Sequence, residues 1–374
     1  MKIMFLIYSY TAGGGIETLL RDLTRGMAEQ HHDVYLCVIN RDYSQEMLDS
    51  LDPRVHRILL NRTPGSGSQF SFMHRFAKVV KEEGVQILHC QGMNCVLFSL
   101  PAKMKNPALV VLNTVHDSGN YPSYPKWKIL ASNRILNMTI AISHSVESEI
   151  LSRGLSRDKV ITLYNVIDTQ KFQYLPTEKK ESPKRAIEIG NVARLFPAKK
   201  GQDVLVHAVE QLLPSYPTLH CTFAGGLFKG QEATLDAIHT ELREKHLEDH
   251  FSFPGNLPSD QIPNFLHGLD VFVLPSNYEG FGIALIEALS CGIPCAASDL
   301  AGPREIYQLA KEDGVSIGVL CRPGDAASFA AGIRELLTHS DRYDPQAMSA
   351  FVRRHFSLEA SVQEHLNLYR KLLG

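Results

Sequence analysis

Along its 374 residues the chain returns again and again to one pattern: a short apolar run rich in β-branched residues, then a longer amphipathic stretch. A parallel strand covered on both faces is apolar throughout, whereas a helix crossing over it is apolar on one side only. The pattern therefore predicts βαβ units around parallel sheets, an α/β chain. Strands are expected at 2–8, 33–39, 55–59, 85–89, 109–115, 138–142 and 160–163. Helices such as 16–30 and 74–83 fall between them. A polar stretch containing Pro176, Pro183 and several lysines follows, with no apolar period, and reads as a linker over 173–185. The alternation then restarts, with strands at 186–192, 218–224, 251–253, 271–274, 294–297 and 316–320. Helices are expected there at 202–213, 234–246, 261–266, 284–290, 326–338 and 358–372.

Two doubly wound, Rossmann-like domains follow from this spacing, 1–172 and 186–355, and the length lets each bury its own core. Lys and Arg number 38 against 40 Asp and Glu, and 44% of residues are hydrophobic. That balance excludes a disordered chain and a strongly basic nucleic-acid binder. No apolar run is long enough to span a bilayer. The opening segment, without a small-residue cleavage site and running into a glycine turn, reads as a first strand and not a signal peptide. Seven scattered cysteines, an odd number, suit reduced thiols in the cytosol. Cys291 and Cys295, around Gly-Ile-Pro, read as buried thiols.

Three stretches carry chemistry. Thr11-Ala12-Gly13-Gly14-Gly15-Ile16-Glu17 follows the first strand and opens a helix, where glycines let backbone approach a ligand and a helix start attracts negative charge. It lacks the G-x-G-x-x-G order of a dinucleotide site, and a plain tight turn remains the alternative. In the second half, Arg194 and the pair Lys199-Lys200 precede Gly201, just past a strand's carboxyl end, where ligands of parallel sheets bind. Such cations neutralise a diphosphate; a solvated charged loop is the other reading. The third stretch runs from Pro275 to Ala288. A loop with Glu279, Gly280, Phe281 and Gly282 leads into a helix near Ile283, whose first amides would point at an anion. Glu287 sits one turn into that otherwise apolar helix, where an acid needs a hydroxyl or cationic partner.

In order and spacing these stretches resemble the retaining GT-B glycosyltransferases of the bacterial family-4 type, over essentially the whole chain. Thr114-Val115-His116-Asp117, Tyr164-Asn165-Val166-Ile167-Asp168, Gly255 before Leu257, Glu279-x7-Glu287, Ser298-Asp299 leading to Glu305, and Arg322-Pro323-Gly324-Asp325 extend the match. The resemblance implies a GT-B fold, two Rossmann-like domains facing across a cleft, with the C-terminal helix within 356–374 packing back on the first. It implies that Glu287 binds ribose hydroxyls, Glu279 the donor sugar, and Arg194 with Lys200 the diphosphate. Lys200 adjoins Gly201 and is the better match, with Lys199 the alternative. His116 would reach the donor sugar, Gly14, Gly15 and Glu17 would line the diphosphate side, and Leu257 would offer backbone to the base. Gly280, Phe281, Gly282 and Ile283 complete the nucleotide-sugar set.

No Asp-x-Asp and no metal-ligand spacing occur in the sequence. Enzymes of this kind commonly use side-chain cations and helix starts in place of a metal, so no metal and no cofactor are expected. The implied activity is retaining transfer of a hexose or N-acetylhexosamine from a nucleotide sugar, UDP-linked, to a glycan or lipid-linked glycan in cell-surface polysaccharide or lipopolysaccharide synthesis. Peripheral membrane contact is one expectation, and nucleic acid is not a partner; Trp127 between Lys126 and Lys128 reads as a contact for a lipid headgroup or a glycan ring, with plain surface as the alternative. The acceptor side is expected around 61–71 and 115–128. A sugar-nucleotide epimerase of the same fold and a non-catalytic nucleotide-sugar-binding subunit are the alternatives.

Overall fold

The structure, a computed structural model, describes residues 1–11, 15–65, 69–116, 118, 120–176, 186–227, 230 and 232–374, with residue 120 described in its backbone only. It divides into two compact units, Met1–Val166 with Leu358–Gly374, and Ile167–Ser357.

In the first unit the strands are β1 (Lys2–Ile7), β2 (Asp33–Asn40), β3 (His56–Arg62), β4 (Ile87–Gln91), β5 (Val110–Val115), β6 (Met138–Ala141) and β7 (Val160–Thr162). They form one parallel sheet in the order β3-β2-β1-β4-β5-β6-β7. Side chains alternate across a strand, so β1 feeds two cores at once. Ile3, Phe5 and Ile7 pack with the helices Gly15–Glu29 and Leu358–Leu373. Met4 and Leu6 point the other way, toward the helices Gln69–Glu82 and Met93–Phe98. Because both faces are covered, β1 is apolar from Ile3 to Ile7, which is the signal legible in the sequence.

In the second unit β8 (Ile187–Val192), β9 (Leu219–Ala224), β10 (Phe251–Gly255), β11 (Val271–Leu274), β12 (Cys295–Ser298) and β13 (Gly318–Cys321) form a parallel sheet in the order β10-β9-β8-β11-β12-β13. Chain order reverses between β8 and β11. The connections leaving these neighbours diverge to opposite faces and open a crevice at their carboxyl ends.

The unit boundary falls at Val166/Ile167, ahead of the 172 expected from the sequence. The Ile167 amide donates to Phe356 O at 3.1 Å, Ser290 Oγ donates to Phe172 O, and the Gln173 carbonyl meets His267 Nε2 at 3.0 Å. Residues 167–176 thus belong to the second unit, while 177–185 of the expected linker lie outside the described residues. Among the described residues of the second unit, two helices of more than two turns had no counterpart in the sequence pattern. Ala301–Glu312 carries Gly302-Pro303 in its first turn, where proline's missing amide costs nothing. Pro345–His355 is capped by Asp344, which accepts from the amides of Gln346 and Ala347. The helix expected from 74 begins five residues earlier, at Gln69.

Candidate functional site

The crevice between β8 and β11 collects the charged stretches of the second unit. After β8 the chain passes Arg194, makes the short helix Pro197–Lys200, and turns at Gly201 into the helix Gln202–Leu212. Gly201 has φ +66°, and a Cβ there would lie 2.0 Å from the Pro275 carbonyl oxygen. Only glycine lets the lysine turn press this closely on the loop after β11. The two are then stitched together. The amides of Asn277 and Tyr278 donate to Lys199 O at 2.9 and 3.3 Å, and Asn277 Nδ2 donates to Ala198 O at 3.3 Å.

This seam brings Lys200 Nζ to 2.9 Å from Glu279 Oε2, across 79 residues of sequence. The side chains are 23% and 16% exposed, so the pair is shielded but reachable. Ser276 Oγ donates to the same carboxylate oxygen at 3.4 Å. Lys200 is therefore not a solvated surface lysine. Arg194 is exposed on the preceding loop, and its carbonyl accepts from Gln202 Nε2 at 3.0 Å. Gln202, fully buried, and Ser276, also buried, were not singled out from the sequence. Each stands beside a residue that was, and adjacency is the only sequence signal either gives.

The loop after β11 ends at Gly282, which caps the helix Ile283–Ser290 in a left-handed conformation with φ +110° and no side-chain cap. Amides of a first helical turn point out of the helix and present partial positive charge. Gly280 lies against Gly302, where a Cβ would be 2.7 Å from the Gly280 carbonyl. The start of the helix Ala301–Glu312 therefore abuts this loop. Phe281 is buried and meets Phe356 edge-on at 5.5 Å, anchoring the loop from below. Glu287 is half-buried one turn into the helix. Burial pushes the nearby Cys291 thiol up to about 12, and the negative charge of Glu287 adds to the shift. Leu257, half-buried, follows β10 on the same sheet edge. All seven cysteines are free and buried.

Other predicted residues sit on the first unit. Gly15 opens the helix Gly15–Glu29, with Glu17 in its first turn, whose carbonyl accepts from Tyr10 Oη at 3.2 Å. Gly14 and Asp117 lie outside the described residues. His116 follows β5, its Nε2 2.6 Å from Gln91 Oε1 at the end of β4. Below them the buried His89 bridges Thr114 Oγ1 and Tyr369 Oη, both at 2.6 Å. Burial holds His89 well below the usual imidazole range and brings His365 down to about 4, so both rings are neutral at pH 7. Of the stretches expected on the acceptor side, 66–68 lie outside the described residues, and 120–123 and 126–135 are helical.

Two family profiles match the chain. Residues 13–171 match the family described as Glycosyltransferase Family 4, and residues 176–352 match Glycosyl transferases group 1. Over 335 residues the chain is 24% identical to a lipopolysaccharide 1,6-galactosyltransferase of Escherichia coli, covering 88% of this chain and 87% of that protein. It is 24% identical to an N-acetyl-alpha-D-glucosaminyl L-malate synthase of Bacillus anthracis, covering all of this chain and 98% of that one. Among solved structures it superimposes on Anabaena HepE, crystallised with UDP, with a TM-score of 0.82 at 19% identity, covering 99% of this chain and all of that one.

Proposed function

Because the chain belongs to the GT-B glycosyltransferases of the family-4 type, we propose that it moves a hexose or N-acetylhexosamine from a UDP-sugar to a glycan or lipid-linked glycan acceptor, with retention at the anomeric carbon. The observation that carries the reading is the Lys200–Glu279 pair at the strand-order reversal, beside the start of the helix Ile283–Ser290. Cleaving a sugar–phosphate bond builds negative charge on the diphosphate and positive character on the anomeric carbon. A lysine, an arginine and a helix start answer the first change, and Glu279 answers the second, by groups placed before reaction. The name of the Escherichia coli relative supports a cell-surface glycan product, that of the Bacillus anthracis relative supports transfer of an N-acetylhexosamine, and the UDP in HepE supports a UDP-linked donor.

In this mechanism Arg194 and Lys200 hold the diphosphate and stabilise it as the C1–O bond breaks. The acceptor oxygen forms its bond to C1 on the face the phosphate leaves, and its proton passes to a phosphate oxygen. Glu287 binds the ribose, Glu279 the donor sugar hydroxyls, Leu257 the base, and Gly14, Gly15 and Glu17 the diphosphate. His116 meets the donor sugar. Because side-chain cations carry the leaving group, transfer is proposed to need no divalent metal and no cofactor. A cytoplasmic enzyme touching the inner face of a membrane is part of the proposal. Phe70, Met104, Trp127 and Leu130 are all strongly exposed on the first unit, and Lys126 and Lys128 flank the indole. No helix among the described residues is long and apolar enough to cross a bilayer.

The test is transfer from a panel of nucleotide sugars to glycan and lipid-linked acceptors, with the product anomer read by NMR. Retention, and a fall of about 10²–10³ in turnover for both Arg194→Ala and Lys200→Ala, is the expected result. Inversion would exclude the same-face mechanism, and near-normal turnover in both variants would remove the leaving-group role. An isomeric sugar nucleotide formed from donor alone would point to the epimerase instead.

A further inference from the structure

We infer that Gln91 is a positioning residue that fixes the tautomer and ring orientation of His116. This rests on the reading in which His116 meets the donor sugar. Gln91 is the last residue of β4 and His116 the first beyond β5, and the two strands are neighbours in register, with Gln91 opposite Thr114. Their side chains meet at 2.6 Å between His116 Nε2 and Gln91 Oε1. The direction of that bond follows from chemistry. A carboxamide oxygen only accepts, so Nε2 must carry the hydrogen.

The carboxamide is itself held. Gln91 Nε2 donates to the His89 carbonyl at 3.4 Å, whereas a flipped amide would set oxygen against oxygen there. The strand beneath it is pinned as well. His89 bridges Thr114 on β5 and Tyr369 on the helix Leu358–Leu373, and all three side chains are buried. The backbone that carries Gln91 is thus tied to β5 and to the C-terminal helix, and Gln91 passes that rigidity on to the imidazole. A ring with its hydrogen at Nε2 has Nδ1, a buried atom here, as its acceptor nitrogen. The second nitrogen of a histidine sets the role of the first in this way wherever a neighbour fixes the tautomer. Among the described residues, the other titratable side chains lining the same hollow are His89 and His365, both held neutral, and Tyr164.

The test uses full-length protein labelled with ¹⁵N at histidine, with His116→Ala to assign the ring signals. Wild type should show a protonated Nε2 and an unprotonated Nδ1 at neutral pH. In Gln91→Ala the two tautomers should mix, turnover should fall on the order of 10²-fold, and KM for the nucleotide sugar should move far less. Gln91→Glu keeps an oxygen at this place but adds a charge that favours the imidazolium. Its turnover should be low at neutral pH and recover as pH rises, a change that lost packing would not produce. The His89 and His365 signals report in the same spectra that the fold is intact. An unchanged Nε2–H pattern in Gln91→Ala, or a Gln91→Glu pH profile superimposing on wild type, would overturn the inference. If His116→Ala itself turned over normally, the sugar-contact reading would fall alone, and the nitrogen signals would still decide whether Gln91 holds the ring.

Discussion

Replacing Glu279 with glutamine separates two things its carboxylate does. In the protein without donor, Lys200 is engaged by Glu279 at 2.9 Å, so a diphosphate must take the lysine away from a standing partner. Glutamine has the same shape, can still accept from Ser276 and Lys200, and removes only the charge. The side chains are 23% and 16% exposed, which places the pair nearer the screened surface case than the buried one. A coupling of about 1 kcal/mol is therefore reasonable. Releasing it corresponds to about five-fold tighter binding of free UDP. The same substitution removes the negative charge facing the anomeric centre, so turnover with the full donor should fall by about 10²-fold or more. Isothermal titration with UDP, beside steady-state transfer assays, reads both quantities on one preparation. Weaker UDP binding together with normal turnover would refute the reasoning, because it would mean that Glu279 neither competes for Lys200 nor serves the sugar.

Further outcomes follow from the same geometry. Gly201→Ala puts a Cβ against the Pro275 carbonyl at a positive φ; it should cost about 1–3 kcal/mol and lower Tm by several degrees, whereas unchanged melting would show that the seam is not close-packed. His365 is neutral when folded, its titration brought down to about 4 by burial. Between that value and the ordinary imidazole range the unfolded chain binds more protons, so stability falls as pH drops. The loss is about 2 kcal/mol by pH 5, and His89 acts in the same direction. Urea unfolding at pH 7 and 5 measures it, and a flat profile would contradict the assigned burial. Chelating divalent metals with EDTA should leave sugar transfer unchanged if Arg194 and Lys200 carry the leaving group. Loss of activity restored by Mg²⁺ would reverse that assignment.

The strands were legible because burial on both faces leaves a residue-by-residue trace: every expected apolar run in both halves coincides with a strand to within a few positions. Helices were less legible where their starts carry residues that also make turns. Ala301-Gly302-Pro303 falls in no expected helix, because glycine and proline also make turns; in the structure Gly302 lies on the Gly280 carbonyl and Pro303 occupies a first turn. At the candidate site the charged residues were visible as types: Arg194, Lys200 and Glu279 follow strand ends, and Glu287 stands on an otherwise apolar helix. Gln91, Ser276 and Gln202 were not, because a neutral polar side chain gives no signal until its partner is known.

Apolar periodicity and glycine placement are local properties, and they alone marked the strands of two parallel sheets and the charged loops at strand ends; which strands became neighbours, and with them the reversal between β8 and β11, was decided by the tertiary structure. What Lys200 does was decided by tertiary structure, because its partner lies 79 residues away and meets it only when Gly201 closes on Pro275. The same holds for His116, whose tautomer is set by a glutamine on the neighbouring strand. Sequence spacing fixes which backbone an atom rides on; hydrogen bonds of 2.6 to 2.9 Å between distant segments exist only after the sheet has chosen its neighbours.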